Sequence, residues 1–293
     1  MKAVLIENAK QLLTMAGESN HDIGLIENGS VLICDGMIAA VGKKEEVEKE
    51  VKKLTEEKIE VERIDATDRI VTPGFVDCHT HVTFGGSRVE AYAIGLTDDD
   101  PQTLVRRGIP TGIYASVNMT TSLDKETLKA QTKKRLLNMI ANGTTTIEGK
   151  SGYALTNEGE HTMLVINREL NEELPLDIFS TFLGAHGWTE GMDKDKYIDL
   201  LCKEMIPRVA EEKLAICNDV WCDDGHYTAK ESETILRCGE EYGLRARIHT
   251  DAYSYIGGSD LAAEMKMLSA DHLNFTPPEV YPKLKEAGVT GVL

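Results

Sequence analysis

From residue 71 onward the chain alternates short apolar stretches with helical patterns. That rhythm restricts it to a parallel sheet with helices packed on its faces. Strands are predicted at 71–78, 144–148, 176–183, 215–222, 245–249, 267–272 and 289–293. Helices are predicted between them at 125–142, 158–173, 194–212, 229–242, 259–264 and 278–286, and some are closed by a glycine. Polar residues mark the strand ends: His79 and His81, Glu148, His186, Asp223, His249 and His272. A doubly wound sheet would gather its chemistry at one switch point, and no glycine-rich phosphate fingerprint follows the first strand. Polar side chains at the end of nearly every strand suit an α/β fold of the (β/α)8 TIM-barrel kind.

The first 70 residues read differently. They carry a short apolar strand at 1–7 and a hairpin, 29–34 with 37–41, around the turn pair Asp35-Gly36. A highly charged stretch at 43–62 reads as a solvated helix or loop. The expected division is a small β domain at 1–70 and a barrel at 71–293. Seven barrel strands can be counted and a closed barrel needs another βα unit, so the expectation is a fragment whose C-terminal part is missing.

The stretch Pro73-Gly74-Phe75-Val76-Asp77-Cys78-His79-Thr80-His81 carries the strongest chemical signal. Side chains two apart on a strand share a face, so His79 and His81 can put two imidazole nitrogens on one divalent ion. His249 ends the alternating run Arg245-Ala246-Arg247-Ile248-His249 and is the natural third ligand if the strands close round an axis. A metal that activates water needs a neighbouring group to relay protons. His272 and Asp251 are the candidates, with Glu148 acting less directly. Arg88, in Phe84-Gly85-Gly86-Ser87-Arg88, either binds a carboxylate bidentately or sits in a surface turn. Tyr153 either lines the same cleft or packs, and His186 lies in a glycine-flanked loop after the third strand. His21 and His161 read as surface residues, and His226 as a turn residue bordering the cleft.

Composition narrows the rest. The net charge of −17 argues against a basic nucleic-acid-binding face. No apolar run is long enough to span a membrane, and no signal peptide is seen. Six cysteines without a paired C-x-x-C pattern read as reduced thiols in a cytoplasmic protein. Apolar faces of an incomplete barrel would invite association, which leaves a homo-oligomer open.

Several of these segments together resemble the imidazolonepropionase family of the amidohydrolase superfamily. They are the histidine strand, Phe84-Gly85-Gly86-Ser87-Arg88, Lys150-Ser151-Gly152-Tyr153, Thr181-Phe182-Leu183-Gly184-Ala185-His186, Trp221-Cys222-Asp223-Asp224-Gly225 and Ser269-Ala270-Asp271-His272-Leu273. The resemblance implies a metal-bearing barrel with a small β-sandwich built from both chain ends, residues 1–70 forming its N-terminal part. It implies one zinc or iron ion held by His79, His81, His249 and an aspartate on an eighth strand. The implied reaction is hydrolysis of imidazolone-5-propanoate to N-formimino-L-glutamate in histidine degradation. Arg88, Tyr153 and His186 would hold this small carboxylated substrate, and His272 would act beside the metal. The chain departs from the family pattern in three places. The eighth-strand aspartate has no counterpart before Leu293. Ala252 stands where the family has a glutamate. The family's Gly-Gly-Gly-Ile and Thr-Arg segments are replaced by Gly108-Ile109-Pro110-Thr111-Gly112-Ile113 and Met119-Thr120-Thr121. A relative acting on another cyclic amide or amidine, and a barrel without turnover, are the alternatives.

Overall fold

The computed structural model describes residues 2–19, 21–98, 100 and 102–293; Met1, which opens the first expected strand, lies outside them. The chain divides into two compact units, Met1–Gly74 and Phe75–Leu293.

The first unit is a five-stranded mixed sheet. Strand β1 (Ala3–Leu13) pairs antiparallel with β2 (Leu25–Cys34), and β2 pairs antiparallel with β3 (Met37–Lys43). On its other edge β1 pairs in parallel with β4 (Val61–Asp65) and β5 (Ile70–Val71). The hairpin turns on Asp35 and Gly36, both with positive φ, which matches strand twist in a tight two-residue loop. Helix α1 (Lys44–Glu56) takes up most of the charged stretch. It is not solvated all round, because Val47 and Val51 are buried against Leu5 and Leu32. Residues 47 and 51 are one helical turn apart and share that face.

The second unit is a single parallel sheet of seven strands in sequence order, wound into a nearly closed barrel. The strands are β6 (Phe75–Thr80), β7 (Thr144–Lys150), β8 (Asp177–Ala185), β9 (Cys217–Cys222), β10 (Arg245–Thr250), β11 (Ser269–His272) and β12 (Thr290–Val292). Between β6 and β7 run α2 (Val89–Gly95), α3 (Gln102–Arg106), α4 (Gly112–Thr121) and α5 (Lys125–Ala141). The sequence pattern shows only α5: α2 buries no residue and α3 only Thr103, while α4, which buries Ala115, Ser116, Val117 and Thr120, falls outside the predicted helices. Helix α6 (Asn157–Glu173) follows β7. The predicted helix at 194–212 forms as α7 (Lys194–Leu200), a π-helical turn (Leu201–Met205) and α8 (Ile206–Glu211). Helices α9 (Ala229–Glu241), α10 (Gly258–Glu264) and α11 (Tyr281–Ala287) complete the unit.

Local chemistry explains these boundaries. The side chains of Asp124, Thr156 and Asp193 accept hydrogen bonds from first-turn N–H groups of α5, α6 and α7. Thr228 and Glu231 form a reciprocal capping box at α9. The core lies between helices and sheet, where Phe182, Val220, Ile248 and Ala270 of the strands meet Leu164, Ile206, Ile235 and Leu261 of the helices.

Asn167 ties α6 to β7 and to the loop after β6. It is fully buried, donates to the Gly149 carbonyl (3.0 Å) and accepts from the Thr83 hydroxyl (2.6 Å). Asn167→Ala would leave that carbonyl and hydroxyl buried without their partner. We expect a loss of roughly 1–3 kcal/mol in stability, read from the urea midpoint; an unchanged midpoint would mean water replaces the amide.

Candidate active site

Parallel strands with period-two side chains place alternate residues of each strand inside the barrel. The inward pairs here are Glu148 and Lys150 on β7, Asp219 and Trp221 on β9, Arg247 and His249 on β10, and Ser269 and Asp271 on β11. Register aligns them: Arg247 lies opposite Asp219 and Ser269, and His249 opposite Trp221 and Asp271. A layer of charge results, with imidazoles above it.

Lys150 is fully buried. Its Nζ lies 2.7 Å from Glu148 Oε1, 2.7 Å from Asp219 Oδ2 and 3.5 Å from Asp271 Oδ2. Arg247 reaches Glu148 (3.1 Å), Asp271 (3.0 Å) and the Cys78 carbonyl (3.0 Å). Burial alone would strip Lys150 of its proton, but Asp219 and Glu148 outweigh it and keep the ammonium charged. Burial likewise opposes ionisation of Asp271, yet the His79 hydrogen bond and the Lys150 and Arg247 charges hold it below the usual carboxylate range. Asp219 is held lower than usual for the same kind of reason, by His249 and Lys150. Burial wins at Glu148, whose carboxyl is pushed up despite Lys150 and Arg247. With all three carboxylates ionised, they exceed the two cations by one negative charge.

The carboxylates also orient the histidines. His79 Nδ1 lies 2.6 Å from Asp271 Oδ2, and His249 Nδ1 lies 3.0 Å from Asp219 Oδ2. An ionised carboxylate only accepts, so Nδ1 carries the proton in both rings and Nε2 keeps its lone pair. One ring nitrogen from each of His79, His81 and His249 lies within 4.8 Å of the others. His81 Nε2 stands 3.3 Å from His249 Nε2. Two ligands at about 2.0–2.1 Å on a tetrahedral ion are separated by about that distance. Burial and neighbouring histidines hold His81 well below the usual imidazole range, and burial lowers His249 to about 4, so both rings are neutral near pH 7. Neutral imidazoles whose ring nitrogens converge in this way fit a divalent cation. Glu148 and Asp271 also approach His79, but Lys150 and Arg247 already occupy them.

A cavity of about 380 Å³ opens over these rings. It brings together His79, His81, His249, Arg88, Tyr153, His186 and His272. His186 donates from Nδ1 to the Gly152 carbonyl (3.1 Å), and its ring stacks on His81 at 4.7 Å. Arg88 is anchored by the Gly112 carbonyl (2.9 Å). Tyr153 lies against His81, His186 and Phe84; burial raises its phenol pKa, so it remains a donor. His272 has φ of 82°, which turns its ring toward His79 and His249, 5.1 Å from each.

Asp251 is not brought to the cavity. Its carboxylate is fully buried and accepts from the hydroxyls of Thr250 (2.8 Å), Ser259 (2.6 Å) and Thr276 (2.6 Å). It ties the end of β10 to α10 and to the loop after β11, and the next two residues, Ala252 and Tyr253, form the cavity wall. Asp223 grips that wall from outside, accepting from the N–H groups of Ala252 (2.9 Å) and Tyr253 (3.0 Å). His226 stacks on the back of Trp221 at 3.4 Å and lines a neighbouring cavity. His21 is exposed, and His161 pairs with Glu212 (2.8 Å). Sequence reasoning missed Lys150, Asp219, Arg247, Asp271 and Trp221 as parts of the site. Three of them carried a usable signal: Asp219 is two before Trp221, Arg247 two before His249, and Lys150 two after Glu148.

No protein-family model matches the chain. An imidazolonepropionase from Geobacillus sp. (strain WCH70) is 40% identical over 305 residues, covering 100% of this chain and 70% of that protein. An imidazolonepropionase from Clostridium tetani is 38% identical over 278 residues, covering 92% of this chain and 65% of that protein. Among solved structures, ochratoxinase from A. niger superposes with a TM-score of 0.65 at 16% identity, covering 99% of this chain and 65% of that one. An adenosine deaminase from Xanthomonas campestris with bound zinc superposes with a TM-score of 0.60 at 15% identity, covering 98% of this chain and 61% of that one. At such low identity these structures speak for the fold alone.

The charge layer makes its own prediction. Lys150→Met removes the cation between Glu148 and Asp219, leaving Arg247 as the one cation facing Glu148 and the His249 N–H as the partner of Asp219. The expected loss is about 3–5 kcal/mol in unfolding free energy, measured by urea denaturation. A wild-type midpoint would show that the carboxylates need no ammonium.

Proposed function

The chain belongs to the imidazolonepropionase family, and from that premise we propose that this site hydrolyses the ring amide of imidazolone-5-propanoate to N-formimino-L-glutamate. The observation that carries the reading is the convergence of three imidazoles, two of them oriented by buried carboxylates, beneath a cavity edged by Arg88. His79, His81 and His249 would hold one zinc or iron ion. Such an ion supplies Lewis-acid polarisation of the amide carbonyl and lowers the pKa of water at the site.

The chain's own residues do the rest. Arg88 pairs with the propanoate, its planar fork matching a carboxylate. With Nδ1 committed to Gly152, His186 offers Nε2 as an acceptor for a ring N–H. The Tyr153 hydroxyl donates to a polar atom of the substrate. His272, beside the metal ligands, takes a proton from water and returns it to the ring nitrogen as the C–N bond breaks. Water adds across that bond: its oxygen joins the carbonyl carbon and the nitrogen leaves with a proton. The Ala252 methyl at the wall favours a second reading, a related cyclic amide or amidine as substrate. Turnover of imidazolone-5-propanoate, followed by its loss of absorbance against a panel of such rings, distinguishes the two. The charge of −17 and six free thiols support a small-molecule enzyme of a reducing compartment. Among the described residues no helix is long and apolar enough to cross a membrane.

His79→Ala should abolish stoichiometric metal binding and hydrolysis together, read by elemental analysis of the folded variant. Full metal content in that variant would end the metal assignment. Arg88→Ala should weaken carboxylated substrates by about 1 kcal/mol in kcat/KM, the range of an ion pair to an exposed guanidinium. Uncharged cyclic amides should be nearly unaffected. An equal loss on both classes would reduce Arg88 to a fold-supporting role.

A further inference from the structure

We infer that Glu160, a carboxylate on α6 outside the cavity, is a positioning residue that sets Tyr153 against the substrate. This rests on the reading of Tyr153 as a substrate-holding group. Glu160 is fully buried, and its partners are backbone N–H groups and the Ser151 side chain instead of a lysine or arginine. Oε2 accepts from Gly152 N–H (2.6 Å), and Oε1 accepts from Ala154 N–H (2.8 Å) and Leu155 N–H (2.8 Å). The loop after β7 therefore wraps round one carboxylate, and Tyr153 is the residue it leaves facing the cavity.

Two features show that the loop needs this grip. Leu155 has φ of 52°, a left-handed conformation that a leucine rarely adopts, and Gly152 has φ of 111°, a conformation open mainly to glycine. The loop also has no room to relax toward β8. A Cβ on Gly152 would meet the Leu183 carbonyl at 2.9 Å and the His186 ring nitrogen Nδ1 at 3.1 Å. Ser151 fixes the other side, its N–H donating to the Thr181 carbonyl and its hydroxyl accepting from Leu183 N–H. With the Ser151–Gly152 flank held against β8, the carboxylate fixes the other flank, at Ala154 and Leu155, and so decides where the Tyr153 backbone stands. The ring then falls beside His81 and His186 at 5.2 and 5.1 Å.

Glu160→Gln keeps the size of the side chain but sets an NH2 group against a backbone N–H, donor facing donor. The experiment is a double-mutant cycle of Glu160→Gln and Tyr153→Phe in the metal-loaded full chain. The readout is the Kd for 3-(imidazol-4-yl)propanoate by calorimetry, with metal content as a control. We expect Glu160→Gln alone to weaken binding about tenfold with unchanged metal content, and to weaken it less than threefold when Tyr153→Phe is already present. A factor of three or more in the Tyr153→Phe background would overturn the inference, because the loss would not pass through Tyr153. So would wild-type affinity in Glu160→Gln or in Tyr153→Phe, or loss of metal. If Glu160→Gln does not fold, Glu160→Asp, which withdraws the carboxylate by one methylene, takes its place in the same cycle. Because binding is read without turnover, wild-type protein that binds the probe but leaves imidazolone-5-propanoate intact fails the proposed reaction while the cycle still decides this inference.

Discussion

Everything at the top of the barrel stands on an ammonium group that has no contact with water. Lys150 sits among Glu148, Asp219 and Asp271, and two of those carboxylates hold the Nδ1 protons of His249 and His79. A lysine in an apolar interior would shed its proton, and three bare carboxylates would repel one another. Together with Arg247 they form a layer beneath the imidazoles that tolerates burial. The layer thus does two tasks at once: it fills the barrel interior and selects the tautomer that points Nε2 upward.

The wall of the cavity is built by a second use of the same chemistry. Glu160, Asp223 and Asp251 are buried carboxylates that accept from backbone N–H or hydroxyl groups of loops. Glu160 and Asp223 each grip a turn that presents Tyr153, or Ala252 and Tyr253, to the cavity, and Asp251 fixes the end of β10 just before Ala252. Loops are the mobile parts of a barrel, and a carboxylate taking several N–H donors is a strong local clamp. The acidic composition of this chain is therefore partly internal, spent on orientation as well as on the surface.

Much of this was legible before any coordinates. The strand-helix rhythm, the H-x-H pair and the histidines at strand ends lead to a barrel and to His79, His81 and His249, because period two and strand direction leave side chains little choice. Other features were not legible. Asp251 stands two residues after the metal-ligand candidate His249 and by alternation should share its face, yet its φ of 54° turns it away into a ring of hydroxyls. His272 is next to inward-facing Asp271 and by simple alternation should face outward; its φ of 82° brings the ring back. Helices α2 and α3 bury too few residues for a period to show. Backbone conformation at single residues, set by contacts distant in sequence, is what pattern reading cannot supply.

The separation of the charged residues along the chain bears on how the barrel assembles. Each strand pairs with its neighbour in sequence, so pairwise contacts can form one unit at a time. The charge layer cannot. Lys150 and its partner Asp219 are 69 residues apart, and Arg247 and Asp271 come from later strands still. Until β7, β9, β10 and β11 are all in place, enclosing any one of these charges costs more than it returns. Partly wound sheets are therefore penalised in their own interiors, and closure proceeds as a concerted step. A layer placed to orient two imidazoles also acts as a checkpoint in folding, rejecting barrels that have collapsed around an incomplete set of strands.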